Sequence, residues 1–180
     1  MLAKVASYSP SRRVMLALNL FGLSLALGVL LATYDVWSSY SRPLVLVGLA
    51  ALALVVTVVI HEGLHGLTFR IFTGKAVFGA VLGSPIGFAF YTTSDAPLPS
   101  RLLTSKAYIV TALLPQALTL VAVAVAYTAP SPFDFLGACI ASYNLGGSAA
   151  DIWTSGLVAS LHSGCFLEDT RDGLNIWMEA

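Results

Sequence analysis

The side chains best placed to do chemistry in this sequence are those of His61-Glu62-Gly63-Leu64-His65. On a helix, residues four apart project from one face, so His61 and His65 put two imidazoles one turn apart, within reach of one tetrahedral zinc ion (Zn2+). Glu62 falls on the adjoining face. In an HExxH helix that carboxylate does not bind the metal but takes a proton from the metal's water and later returns it, which is the chemistry of hydrolysis.

The surroundings of these five residues are apolar. Of 180 residues, 57% are hydrophobic and 10% charged, against roughly a quarter charged in an average soluble domain. With a mean hydropathy of +0.84, the chain reads as one integral membrane domain over residues 1–180, with the lipid bilayer as its first partner. The formal net charge is zero and no basic block is longer than Arg12-Arg13, so nucleic acid is not an expected partner. Cys139 and Cys165 have neither the number nor the spacing of a disulfide framework or a thiolate metal site. The first apolar run follows Lys4, Arg12 and Arg13 but is long for a signal peptide and has no small-x-small cleavage site, so it reads as a retained span.

Four segments are long enough to cross about 30 Å of hydrocarbon as helices: Val14 to Tyr34, Leu44 to Phe72, Thr104 to Ala129, and Phe133 to Leu161. The expected fold is therefore an all-α membrane protein with four transmembrane helices. Within the long second connection, Lys75 to Leu82 and Phe88 to Thr93 are short apolar or β-branched runs around Gly83-Ser84-Pro85-Ile86-Gly87. They predict a short β-hairpin between the second and third helices, the competing reading being an irregular loop on the membrane surface. Lys4, Arg12, Arg13, Arg70, Lys75, Arg101, Lys106 and Arg171 fall on one side of the bilayer and Arg42 on the other. The positive-inside rule then places both termini and the long loop in the cytoplasm or the equivalent compartment, with spans two and four parallel; the membrane expected is the plasma membrane of a prokaryote.

Inside the spans, away from their ends, the acidic residues are Glu62 and Asp151, and there are no basic ones. An ionisable group at that depth costs on the order of 3 kcal/mol or more, so it faces the bundle interior and has a partner or a function. A hydrolytic zinc site needs a third protein ligand besides the two histidines. The candidates are His162, Asp151 and the tail carboxylates Glu168, Asp169, Asp172 and Glu179. Counted along two parallel helices at about 1.5 Å per residue, His61 and His65 lie about 26 to 32 Å from the outer end, Asp151 about 27 Å and His162 about 44 Å. Depth favours Asp151 and makes His162 an interfacial residue.

Asn144, Ser148, Asp151 and Ser155 form one polar stripe on that fourth apolar segment. Asn144 has two readings, a hydrogen bond to a substrate backbone or developing oxyanion, or packing between helices. Gln116, beyond the kink expected at Pro115, would touch substrate or bridge helices.

These residues resemble a known group. His61-Glu62-Gly63-Leu64-His65 in one span and Asn144-Leu145-Gly146-Gly147-Ser148-Ala149-Ala150-Asp151 in a later one look like site-2-protease-type intramembrane metalloproteases. The closer likeness is to small bacterial and archaeal membrane proteins described as zincin peptidases, over Leu54 to about Ile176, including the hairpin, Leu113-Leu114-Pro115 and Glu168-Asp169-Thr170-Arg171-Asp172-Gly173. The resemblance implies zinc bound by His61, His65 and Asp151, Glu62 as base, and a membrane-protein or peptide substrate cut by intramembrane proteolysis. Site-2 proteases carry a proline at the Gly147 position and an aspartate-glycine pair, whereas here Ile152 follows Asp151, one residue nearer the asparagine. The alternative from another class is a non-catalytic metal-binding membrane protein or substrate-binding pseudoprotease, and an intact Glu62 argues against it.

Overall fold

A computed structural model describes residues 1–38, 42–84, 87–161, 164–170 and 173–179. In chain order the elements are β1 (Leu2–Tyr8), α1 (Arg12–Ala32), α2 (Tyr34–Trp37), α3 (Pro43–Thr73), β2 (Val77–Ser84), β3 (Gly87–Thr93), β4 (Leu103–Thr104), α4 (Ser105–Leu113), α5 (Gln116–Thr128), α6 (Phe133–Gly147), α7 (Ala149–Ala159), β5 (Phe166–Thr170) and β6 (Gly173–Glu179).

Three helical stretches among the described residues are long and apolar enough to cross a membrane: α1, α3 and the 24 residues Ser105–Thr128 formed by α4 and α5. They fall close to the first three predicted spans. On α3 the side chains of Val47, Val55 and Val59 are exposed, as a lipid-facing surface requires. The helix of Ser105–Thr128 is interrupted at Leu114 and Pro115, where the proline has no N–H for the helical ladder.

The fourth predicted span is not one helix. Its residues divide into α6, of 15 residues, and α7, of 11. Two consecutive glycines, Gly146 and Gly147, weaken the helix there. Ser148 then closes α6, its N–H and its Oγ both donating to the Asn144 carbonyl, at 3.0 and 2.6 Å. The break puts Asp151 in the first turn of α7, where a carboxylate is favoured by the helix dipole.

The all-α expectation is also corrected. A four-stranded antiparallel sheet runs in the order β1-β6-β5-β4, and β2 pairs with β3 as a separate two-stranded sheet. The second is the hairpin expected between the second and third helices, with Val77 opposite Thr93 and Ala80 opposite Phe90. The larger sheet joins three remote segments, and the two ends of the chain meet in it, Leu2 opposite Glu179 and Tyr8 opposite Leu174.

By its contacts the chain falls into two compact units. One comprises Met1–Ala17, Glu62–Leu114 and Asp151–Ala180, the other Leu18–His61 and Pro115–Ala150. In the first, the sheet buries Leu103, Leu167 and Leu174 against Phe69 of α3, Tyr108 and Ala112 of α4 and Val158 of α7. The carboxylate of Glu168 is buried there and bonded: it meets Arg101 at 2.7 Å and accepts from Asn175 Nδ2 at 3.1 Å and Trp177 Nε1 at 3.0 Å. Such a charge is tolerated inside only because its partners are in place. Gly173 opens β6 at φ 142°, a backbone conformation that other residues rarely adopt, and a Cβ there would run into the Tyr8 carbonyl.

In the second unit, α1 and α6 cross at backbone contact. A Cβ on Gly22 would strike the Gly146 carbonyl, and one on Gly146 would come within 2.8 Å of the Gly22 carbonyl. Close approach through small residues is how apolar helices pack without a hydrophobic driving force. Ser142 Oγ strengthens the crossing by donating to the Ala26 carbonyl at 2.8 Å.

Candidate metal centre

α3 is unbroken from Pro43 to Thr73, so its own geometry holds His61 one turn from His65. His65 is buried, and its Nδ1 lies 2.9 Å from the Thr111 carbonyl in α4. A carbonyl only accepts, so Nδ1 carries the hydrogen and Nε2 presents its lone pair. That Nε2 is 3.7 Å from Asp151 Oδ2. The separation is long for a hydrogen bond, but two donors on one tetrahedral zinc stand about 3.4 Å apart. His61 Nδ1 bonds Asn144 Oδ1 at 3.0 Å. One ligand atom from each of His61, His65 and Asp151 lies within 4.8 Å of the others. Two neutral imidazoles with their Nδ1 hydrogens engaged, plus one carboxylate, form a donor set of the kind that zinc takes in hydrolytic sites.

Glu62 is held from the hairpin. Thr92 Oγ1 donates to Glu62 Oε2 at 2.7 Å and approaches the Glu62 carbonyl at 3.3 Å. On the opposite face of β3, Thr93 Oγ1 donates to the Asp169 carbonyl of β5 at 2.6 Å. At the hairpin base, Thr73 Oγ1 and Ser94 Oγ are 2.7 Å apart. Two adjacent threonines thus fasten one strand to the helix that carries Glu62 and to the four-stranded sheet.

Compared with known families, residues 54–166 match the model of the family described as Putative zincin peptidase. The chain belongs to this zincin peptidase family. No curated protein and no solved structure matches it. The zincin match runs from within α3 to the first residue of β5, and so takes in His61, Glu62, His65, Thr92, Asn144 and Asp151. Membership makes the chain a member of a metallopeptidase family, and zinc the metal that the family's description implies for the cluster His61, His65 and Asp151.

The other sequence candidates sort by position. Glu168 is engaged with Arg101, and Glu179 lies in β6 opposite Leu2. His162 and Asp172 fall outside the described residues. Gln116 Oε1 accepts from Thr119 Oγ1 at 3.3 Å. Ser148 bonds within α6, as above. Asn144 is 0% exposed and is bonded to His61, Pro115 and Thr119.

Thr92 escapes a sequence reading of the site, and Asp169, a tail candidate for the third ligand, takes a different place beside it. Thr92 lies thirty positions from Glu62, and nothing local links them. Asp169 stands among the tail carboxylates in the sequence, but in the fold the charges of Asp151, His65 and Glu62 act on its carboxyl. Loss of hydration and then the charge of Asp151 push its pKa up to about 7, against a smaller opposing effect of His65.

Proposed function

We propose that the chain is a zinc-dependent intramembrane endopeptidase that hydrolyses peptide bonds of membrane-protein substrates. The observation that carries this reading is the meeting of His61, His65 and Asp151, on a 31-residue apolar helix and the start of α7, beside a glutamate already held in place. His61, His65 and Asp151 would hold the zinc. When bound, zinc supplies a Lewis acid for the scissile carbonyl and a more acidic water as nucleophile.

The chain's own residues supply the rest. Glu62 takes a proton from the attacking water as its oxygen joins the acyl carbon, and delivers a proton to the amide nitrogen as the C–N bond breaks. Thr92, by donating to Oε2, holds the carboxylate and leaves Oε1 to take the proton. The bonds made by Nδ1 leave each histidine with the Nε2 lone pair that zinc would take. β2 and β3 would offer a strand edge to a substrate segment once it has unwound, reading backbone rather than side chains. In this reading both termini face the cytoplasm.

The test is hydrolysis of a single-span substrate in proteoliposomes. Cleavage is expected with the purified protein, its loss on treatment with a zinc chelator, and its return when zinc is added back. Cleavage indifferent to chelation would exclude the zinc mechanism. A finer consequence concerns Thr92. A hydrogen bond to a charged group contributes about 1.5–3 kcal/mol, so Thr92→Val is expected to lower kcat by about tenfold to a hundredfold with zinc content unchanged, and Thr92→Ser to restore it. Wild-type kcat in Thr92→Val would remove the threonine from the mechanism.

A further inference from the structure

We infer that Asn144 is a positioning residue for the metal ligand His61, rather than a contact for substrate. The inference rests on the zinc reading above and concerns a side chain to which that reading gives no task. Asn144 Nδ2 donates to the Pro115 carbonyl at 2.8 Å and to Thr119 Oγ1 at 2.7 Å, and the residue is 0% exposed. The Pro115 carbonyl can only accept, so it fixes which end of the amide is nitrogen. Both amide hydrogens are then used, and Oδ1 is the end turned to His61, 3.0 Å from its Nδ1. An amide oxygen also only accepts. His61 Nδ1 therefore carries the hydrogen, and Nε2 carries the lone pair that a metal needs.

Pro115 takes part through its carbonyl, which accepts from the Leu118 N–H at 3.0 Å as well as from Asn144 Nδ2. The N–H that the proline lacks would have bonded the Thr111 carbonyl, one turn back, and that carbonyl takes His65 Nδ1 instead. A substrate contact from Asn144 would require breaking bonds inside a closed polar cluster.

The experiment is a zinc affinity titration in detergent against a chromophoric chelator, which needs no turnover. Outer-shell partners of metal-binding histidines are generally worth about 10–100-fold in metal affinity. Asn144→Leu, close in volume, is expected to weaken zinc binding by that factor. Asn144→Asp keeps an acceptor for His61 and is expected to stay within about threefold of wild type, although it gives up both donated bonds. Thr119→Val serves as the structural control, since it removes one bridging bond and leaves His61 untouched. It too should hold zinc as wild type does. Unchanged affinity in Asn144→Leu, or equal losses in Asn144→Leu and Asn144→Asp, would overturn the inference. If Asn144→Leu does not fold, Asn144→Asp decides, because a loss of affinity there contradicts it and retention supports it. A wild-type protein without zinc affinity would instead refute the metal reading itself.

Discussion

Glu62→Gln is expected to lower hydrolysis of a membrane-embedded substrate by about a hundredfold to ten-thousandfold, the usual contribution of a general base, while the protein keeps its zinc. Glutamine preserves the volume and an oxygen that can still accept from Thr92, so the hairpin attachment at 2.7 Å has no reason to break. What it loses is the ability to take the proton. The metal should stay because Glu62 is not among the three side chains whose ligand atoms cluster. Residual cleavage at the wild-type rate, measured as product formed per minute in proteoliposomes, would show that another group removes the proton. Asp169, whose carboxyl is pushed up by loss of hydration and feels the charges of Asp151 and Glu62, would be the first to examine in that event.

Asp151→Ala is expected to have the other large effect, on the metal rather than on the proton. Loss of a direct ligand should exceed the roughly 10–100-fold that loss of an outer-shell partner costs, leaving two imidazoles on one helix as the remaining protein donors. The consequence is a protein that purifies nearly free of zinc and does not hydrolyse. Its helices should still form, because Asp151 is one quarter exposed in the first turn of α7 and is not among the residues of the apolar core. Metal analysis beside circular dichroism checks both halves of the statement. Full zinc occupancy in Asp151→Ala would move the third ligand elsewhere.

The sequence shows some of this and hides the rest, for reasons that can be named. His61, Glu62 and His65 are legible because their relation is local, four residues on a helix whose apolar run identifies it. The long spans are legible for the same reason. Depth along a single straight helix points to Asp151, but the chain breaks at Ser148, so the aspartate arrives at His65 from a helix start rather than a helix middle. The hairpin declared itself through two short apolar runs around glycine and proline. The four-stranded sheet did not, since β1, β4 and the tail strands lie far apart in sequence. β1 is exposed along most of its length, which leaves no alternation of polar and apolar residues to read. β6 does alternate, with Leu174 and Ile176 in the core beside Asn175 and Trp177 bonded to Glu168. That pattern, seven residues at the end of the chain, reads as a strand only once its partners are known. Thr92 and Asn144 act across thirty and eighty-three positions, and no spacing rule reaches so far.

The most direct measurement is the zinc content of the wild-type protein, purified in detergent without added metal and compared with His61→Ala and His65→Ala by elemental analysis. About one zinc per chain is expected in the wild type, the number that a single three-ligand site holds, and a near absence in both variants. A wild-type protein that retains no zinc even after incubation with it, or variants that bind it as well as the wild type, would contradict the account at its centre.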